Sequence, residues 1–275
     1  MSFNARTLHL LFGRGQFNMD DARAFQPMVP VTEDDPFGDA QRRLLILFAS
    51  RCGSSYLCRV LRGTGLMGDP SELLNPNALQ DVAERHNTST MNETLRALVK
   101  NYSTDNGTFI AKSSPRNLSL LYGIGEFPAN LDRWRFMLLT REDLIAQAIS
   151  IVKMNLSGQR HSIHDIKREL TDDDYDFDAI VTQLNAIKNS NVSSEMFFKA
   201  HGLKYLHLTY ENFIADVPKT IKRIGRRIDV DIPDDAIHPD QDLKQLRDEL
   251  TERWRERFIE DMKRNVAAIA ADPEL

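Results

Sequence analysis

The sequence predicts an α/β fold in which a parallel central sheet carries helices on both faces. Short apolar segments alternate along the chain with segments of helical periodicity, which is the pattern of strands joined by crossover helices. The apolar segments are nearly continuous, as is typical of strands that are buried on both faces. Ligands of such sheets bind beyond the carboxyl ends of the strands. The residues that follow the predicted strands are therefore the first candidates for a functional site.

The composition fits a folded protein and argues against several functional classes. The chain has 275 residues with 41% hydrophobic content, and 35 Lys and Arg against 40 Asp and Glu give a formal charge of -5. This balance argues against a broad nucleic-acid-binding surface. We expect no transmembrane segment and no signal peptide, because the sequence shows no apolar run of the required length. Cys52 and Cys58 are poorly placed for a disulfide, which indicates a reducing, cytoplasmic location.

Residues 1–43 are predicted to be an N-terminal extension, and residues 44–275 to be the domain. The extension is rich in proline and glycine, has an acidic patch at 33–35 and is strongly apolar only at 8–12. Three interpretations stay open: a lid, an arm that docks on a second subunit, or a flexible tail without function.

The strands and helices are predicted in order from periodicity and from the residues that interrupt it. Strands are predicted at the apolar runs 44–49, 108–111, 134–139 and 203–208. Helices are predicted where apolar residues recur with helical spacing, at 54–64, at two segments within 77–104, and at 142–156, 177–201, 210–214, 216–228 and 241–266. Gly63, Gly65 and Gly68 end the first helix, Gly158 and Gly202 end two later ones, and Pro233 and Pro239 mark a loop.

The turn after the first strand is a candidate anion site. Gly53 lets the backbone approach a ligand closely, and Ser54 is predicted to cap the helix that follows. The N–H groups at a helix N-terminus attract anions, and Arg51 supplies a cation. The turn is not a Walker A loop, because the Gly-Lys-[Ser/Thr] sequence is missing. The alternative is an ordinary strand-to-helix turn.

Two further strand ends carry cations that should converge on this turn. Lys112 follows the second predicted strand, and Arg141 follows the third. Arg141 and Ser150, on the helix that follows, can bind one phosphate from two sides. The alternative is that Arg141 pairs with Glu142 or Asp143, and that Ser150 is only a small helix residue.

Short motifs along residues 44–258 resemble, in their order and spacing, those of one enzyme family. They are Arg-Cys-Gly-Ser-Ser-Tyr-Leu at 51–57, Gly-Asp-Pro-Ser-Glu-Leu-Leu at 68–74, Ala-Lys at 111–112, Arg-Glu-Asp-x-x-x-Gln-Ala-x-Ser at 141–150, Tyr-Glu-Asn-Phe at 210–213 and Thr-x-x-Trp-x-x-Arg-Phe at 251–258. The chain resembles the bacterial sulfotransferases typified by the Stf-zero trehalose sulfotransferases. Their sulfuryl donor is 3′-phosphoadenosine-5′-phosphosulfate (PAPS), and their fold is P-loop-like.

The resemblance implies a role for each matching residue. The donor loop would cradle the 5′-phosphosulfate with Arg51, Gly53, Ser54 and Ser55, and it also contains Cys52 and Tyr56. The 3′-phosphate would be held by Arg141 and Ser150. Glu72 matches the family's proposed general base, and Lys112 would stabilise charge on the sulfuryl group. Trp254 would stack near the nucleotide or pack in the core.

Each of these roles has an alternative. Glu72 could instead satisfy backbone N–H groups at a helix start, and Lys112 could be a surface lysine. Cys52 stands where the family has serine; the helix N-terminus and Arg51 could lower the pKa of its thiol, or it could be an inert space-filling residue.

The acceptor side departs from the family pattern. Leu73 and Leu74 replace an aromatic pair, and Ser113 and Ser114 begin a segment that differs from the family's Trp-Asn-Gln. The expected acceptor is therefore a hydroxyl of a carbohydrate or another small polar molecule, without commitment to trehalose. A homodimer is expected because the family includes dimers.

No metal is expected. A sulfuryl group carries less charge than a phosphoryl group, so a magnesium clamp is not obligatory. The acidic stretch 172–176 lacks the glycine and the closing glutamate of a calcium loop. His161 and His164 with Asp165 lack a partner cluster and are weak candidates for a metal site.

The sequence thus predicts a PAPS-dependent sulfotransferase. Two other functions stay open: a nucleotide-dependent phosphotransferase, against which the missing Walker lysine argues, and a catalytically degenerate module that binds a nucleotide without turnover.

Overall fold

The computed structural model describes residues 35–123, 126–158, 168–239 and 248–271. Most of the predicted extension, 1–34, lies outside the described residues, as do the histidine pair His161 and His164 with Asp165. Within the described ranges, no helix is both long enough and apolar enough to cross a bilayer.

The described residues form a four-stranded sheet whose strand pairs are all parallel. The strands are β1 (Arg42–Phe48), β2 (Thr108–Ser113), β3 (Trp134–Thr140) and β4 (Tyr205–Thr209), in the order β2-β1-β3-β4. The order places β1 and β3 in the centre, so that their carboxyl ends lie side by side. The predicted parallel sheet is confirmed.

Helices connect the strands. They are α1 (Ser54–Gly63), α2 (Pro76–His86), α3 (Met91–Tyr102), α4 (Leu118–Gly123), the short α5 (Glu126–Ala129), α6 (Leu144–Ser157), α7 (Phe177–Ala200), α8 (Tyr210–Ala215), α9 (Val217–Arg227) and α10 (Glu249–Ala271). Short 3₁₀ turns lie at Pro115–Asn117, Leu131–Arg133, Asp172–Asp174 and Asp234–Ala236. The bounds agree with the predicted helices to within a few residues, except that α10 begins at Glu249, and residues 241–247 are not described.

The side chains of β1 show that both faces of the sheet are covered. Leu45 and Leu47 belong to one buried cluster, which includes residues of α2 and α3. Leu44 and Ile46 point to the other face and join a cluster with residues of α1 and α9. Alternate residues of a strand face opposite sides, so a continuous apolar strand requires a core on each side. This confirms the predicted α/β class.

The chain before β1 is part of the folded core. Phe37 is fully buried. Asp35 accepts hydrogen bonds from Arg43, at 3.0 Å from Nη1 to Oδ1, and pairs with Arg133. Glu126, also fully buried, accepts a hydrogen bond of 2.9 Å from Trp134 Nε1. Residues 35–43 of the predicted extension therefore pack with the domain.

The chain folds into two compact units. The first holds residues up to Thr140 and Asn189–Asp240, and so contains the whole sheet; the second holds Arg141–Lys188 and the residues from Gln241 onward. In the second unit α6 packs on α10, and Lys153 Nζ lies 2.6 Å from Asp248 Oδ1. Trp254 is fully buried and meets the ring of Tyr175 edge-on.

Candidate active site

The turn after β1 is shaped by two residues with left-handed backbone. Arg51 has φ 65° and Gly53 has φ 83°, with Cys52 between them. Gly53 is the N-cap of α1, and no described side chain caps the helix. The prediction that Ser54 is the cap is wrong, because the left-handed Gly53 makes the reversal and Ser54 is already helical. The N-terminal N–H groups of a helix lack intrahelical partners, so this end of α1 suits an anion.

Tyr210 lies directly against the glycine of this turn. A Cβ atom added to Gly53 would lie 2.3 Å from Cδ2 of the Tyr210 ring, a distance that real Cβ atoms do not adopt. Tyr210 begins α8, immediately after β4. On the same side, the ring of Tyr56 packs on Phe213 with a centroid distance of 5.0 Å. The start of α8 therefore packs against the turn and fixes its position. Tyr210 matched a family motif in the sequence, but no role was predicted for it.

Lys112 brings a buried cation to the start of α1. Its Nζ donates to Ser54 Oγ at 3.3 Å and to Ser55 Oγ at 3.4 Å. The side chain is only 7% exposed, and Nζ lies 4.9 Å from the centre of the Phe48 ring. The alternative of a surface lysine is excluded. Lys112 lies within β2 rather than after it, because the strand continues to Ser113.

A backbone bridge places Glu72 beside this lysine. Ser71 pairs with Ala111 in parallel, and Lys112 N donates to Ser71 O at 2.9 Å. Glu72 Oε1 then lies 3.2 Å from Lys112 Nζ. Glu72 does not cap a helix: Asn75 is the N-cap of α2, and its side chain accepts from Ala78 N. The helix-capping alternative for Glu72 is therefore wrong, and its carboxylate faces the cation.

Cys52 is an inert residue of the turn. It is fully buried, and burial raises the pKa of its thiol to about 12. The charge of Lys112 and hydrogen bonds with Ser54 lower it, but they do not offset the loss of solvation. The alternative of a lowered pKa is wrong, and the space-filling interpretation is supported.

The structure thus brings Lys112 and Glu72 together with the hydroxyls of Ser54 and Ser55. Arg141 and Ser150 belong to the second unit, and their role at the 3′-phosphate stays a prediction. In that unit, Asp143 caps α6 through Ala146 N and lies 3.6 Å from Arg255 Nε.

Two remaining expectations concern Trp254 and metals. The indole of Trp254 is fully buried, which supports core packing over stacking on a nucleotide. In the described part of the chain, no three His, Cys, Asp or Glu side chains form a group that could hold a metal ion.

Three solved structures show distant likeness to the chain. One is a complex of retinol dehydratase with androsterone and inactive cofactor PAP, with 14% identity, a TM-score of 0.41, and coverage of 88% of this chain and 84% of that one. The sulfotransferase of Alicyclobacillus acidocaldarius has 16% identity, a TM-score of 0.44, and coverage of 86% and 98%. The sulfotransferase domain of the curacin biosynthetic pathway has 16% identity, a TM-score of 0.44, and coverage of 76% and 81%. At these TM-scores, the fold assignment rests on the strands and helices themselves.

The sequence comparisons give the family. A search of curated proteins found no match to the sequence. The family model of the Stf0 sulphotransferases matches residues 125–261, which include β3, β4 and most of α10. The turn at 51–55, Glu72 and Lys112 precede the matched segment, so the match does not bear on their predicted roles. On this match, residues 125–261 of the chain are assigned to the Stf0 sulphotransferases, a family of sulfotransferase enzymes.

Proposed function

We propose that the protein transfers a sulfuryl group from PAPS to a hydroxyl of a carbohydrate or another small polar acceptor. The observation that carries the proposal is the buried ammonium of Lys112, which lies at the N-terminus of α1 between two hydroxyls and a carboxylate. A buried lysine is costly unless it is paired. The position of Lys112 favours a site that binds an anion and transfers a proton.

The donor side would be the turn at 51–55 with Lys112. During transfer, the bond between sulfur and the bridging phosphate oxygen breaks, and negative charge develops on that oxygen as 3′,5′-ADP leaves. Backbone N–H groups at the start of α1 and the ammonium of Lys112 would stabilise this charge. Arg51 is placed at the edge of the same turn, and Arg141 and Ser150 are the proposed ligands of the 3′-phosphate.

The acceptor side would begin at Glu72. Its side chain is 49% exposed, so an incoming hydroxyl can reach it from solvent. As the acceptor oxygen bonds to sulfur, its proton would pass to the carboxylate of Glu72 within hydrogen-bond distance. A cytoplasmic location and a homodimer belong to the same proposal; light scattering of the purified protein tests the dimer.

Calorimetry tests donor binding. The protein is titrated with 3′,5′-ADP and, separately, with ATP and magnesium. We expect binding of 3′,5′-ADP and at most weak binding of ATP. Binding of ATP alone would instead favour a phosphotransferase. Turnover of labelled PAPS over a set of hydroxyl compounds then distinguishes an enzyme from a module that only binds.

Lys112→Met tests the role of the buried cation. Removing one electrostatic stabiliser of a transition state costs about 10²–10³ in kcat, so transfer should fall by that order. Lys100→Met, at an exposed position on α3, is the matched control and should transfer normally. Unchanged turnover by Lys112→Met would remove the lysine from the mechanism.

A further inference from the structure

We propose that the carboxylate of Glu72 stays paired with the ammonium of Lys112 until the donor displaces it, so that donor binding frees the general base. We call this ion pair the latch. The inference rests on the proposed function and deepens it, because it concerns the order of events at the same site. It predicts that PAPS binds before the acceptor can react.

The latch follows first from the number of partners that a lysine can hold. An ammonium group has three N–H donors and no acceptor. Ser54, Ser55 and Glu72 lie at 3.3, 3.4 and 3.2 Å from Nζ. These three contacts match the three donors, so a sulfuryl or phosphate oxygen that binds Lys112 must displace a partner.

The structure also indicates which partner leaves. Ser54 is buried in the first turn of α1. Lys112 is fixed in β2, with its backbone N–H bonded to Ser71 and its side chain over the Phe48 ring. The carboxylate of Glu72 is half exposed and sits at the end of a flexible side chain. It is therefore the partner that can move at low cost.

Charge completes the argument. The carboxylate and the phosphosulfate are both anions and would compete for one cation. Displacement leaves Glu72 near the sulfuryl group without its cation, where it can accept a proton from a hydroxyl. A half-exposed ion pair is weak, so the donor can break it without losing most of its affinity.

The test compares three variants by calorimetric titration with 3′,5′-ADP. Glu72→Gln removes the charge, and Glu72→Asp keeps the charge but shortens the side chain so that it no longer reaches Lys112. Both should bind about two- to five-fold more tightly than the original protein, as expected for the loss of one weak competing ion pair. Asp69→Asn is the matched control: it removes a carboxylate from the same loop, similarly exposed and paired with Arg62, and should bind as the original does.

Each outcome decides between the latch and its alternatives. If only Glu72→Gln binds more tightly, simple repulsion between charges explains the effect and the latch is overturned. Unchanged or weaker binding by both Glu72 variants overturns it as well, while the proposed function stands. If the original protein binds no 3′,5′-ADP, the proposed function itself fails. If each variant has the same midpoint temperature of thermal unfolding as the original protein, misfolding is excluded as the cause.

Discussion

At the scale of single residues, the turn after β1 depends on the absence of a side chain at Gly53. Its φ of 83° is strained for any other residue, and the ring of Tyr210 fills the space where a Cβ would lie. These are separable effects, one of backbone conformation and one of contact. A second glycine in the chain allows them to be measured apart, because Gly65 has φ 66° and no described atom within 4 Å of the place that a Cβ would take.

Gly53→Ala should therefore destabilise the protein more than Gly65→Ala. A left-handed conformation costs an alanine about 1–2 kcal/mol, which is the whole cost expected at Gly65. At Gly53 the new methyl group would also clash with the Tyr210 ring, which raises the cost further and displaces the turn. Binding of 3′,5′-ADP should therefore be lost as well. Urea unfolding and calorimetry measure both effects. Equal stability and equal binding in the two variants would show that the contact with Tyr210 has no consequence.

Cys52 should resist alkylation in the folded protein. With a thiol pKa of about 12, the thiolate fraction near pH 8 is about 10⁻⁴, and the sulfur is buried as well. Iodoacetamide should label neither Cys52 nor the buried Cys58 until the protein is unfolded in urea, as mass spectrometry would show. Rapid labelling of Cys52 in the native protein would instead support a reactive thiol with a lowered pKa.

At the scale of elements, the segment before β1 is held to the sheet by ion pairs. Burial alone would raise the pKa of Asp35, but hydrogen bonds with Arg43 and Arg133 and the charge of Arg43 outweigh it and hold the pKa below 3.8. For Glu126 the balance is opposite: burial raises the pKa above 4.5 despite its hydrogen bonds with Trp134 and Asn130. One carboxylate thus favours folding when ionised, and the other when protonated.

Asp35→Asn should be costly near neutral pH and much less so in acid. A carboxylate with a lowered folded pKa stabilises the fold above its unfolded pKa, and this stabilisation is lost as pH falls through the folded pKa. We expect a loss of about 1–3 kcal/mol near pH 7 that shrinks near pH 3. Urea titrations at both pH values measure it, with the exposed Asp132→Asn as control. A loss independent of pH would show that the charge is not the cause.

The elements also show what could be predicted from the sequence. β1 and α1 were predicted to within two residues at each end, because an apolar run buried on two faces and a helix after a glycine turn are local patterns. Ser54 was wrongly predicted as the cap, since the choice between serine and glycine depends on how the chain reverses. The place of Lys112 inside β2 depends on its pairing with Ile46 of β1, and its contact with Glu72 depends on the backbone bridge from Ser71. That pairing joins segments distant in sequence, and no local pattern encodes it.

At the scale of the whole molecule, the chain has two compact units where the sequence predicted one domain after an extension. Both large buried clusters belong to the first unit, which contains the sheet. The core of the second unit is smaller and includes Trp254 and Phe258. Since buried apolar area is the main source of stability, the second unit should be the less stable one.

The two tryptophans allow this to be measured, because Trp134 lies in the first unit and Trp254 in the second. Trp134→Phe leaves a fluorescent reporter in the unaltered second unit, and Trp254→Phe leaves one in the unaltered first unit. In urea we expect the Trp254 signal to change at lower denaturant than the Trp134 signal. Coincident midpoints would show that the chain unfolds as a single cooperative system.

The bridge between Ser71 and Ala111 has a consequence for solubility. β2 is an outer strand of the sheet, and an uncovered outer strand offers its backbone to other chains and promotes aggregation. The loop that carries Glu72 lies along this strand and occupies the N–H of Lys112. At this point of the strand the loop therefore opposes intermolecular strand pairing, and substitutions in the loop should be screened for precipitation as well as for turnover.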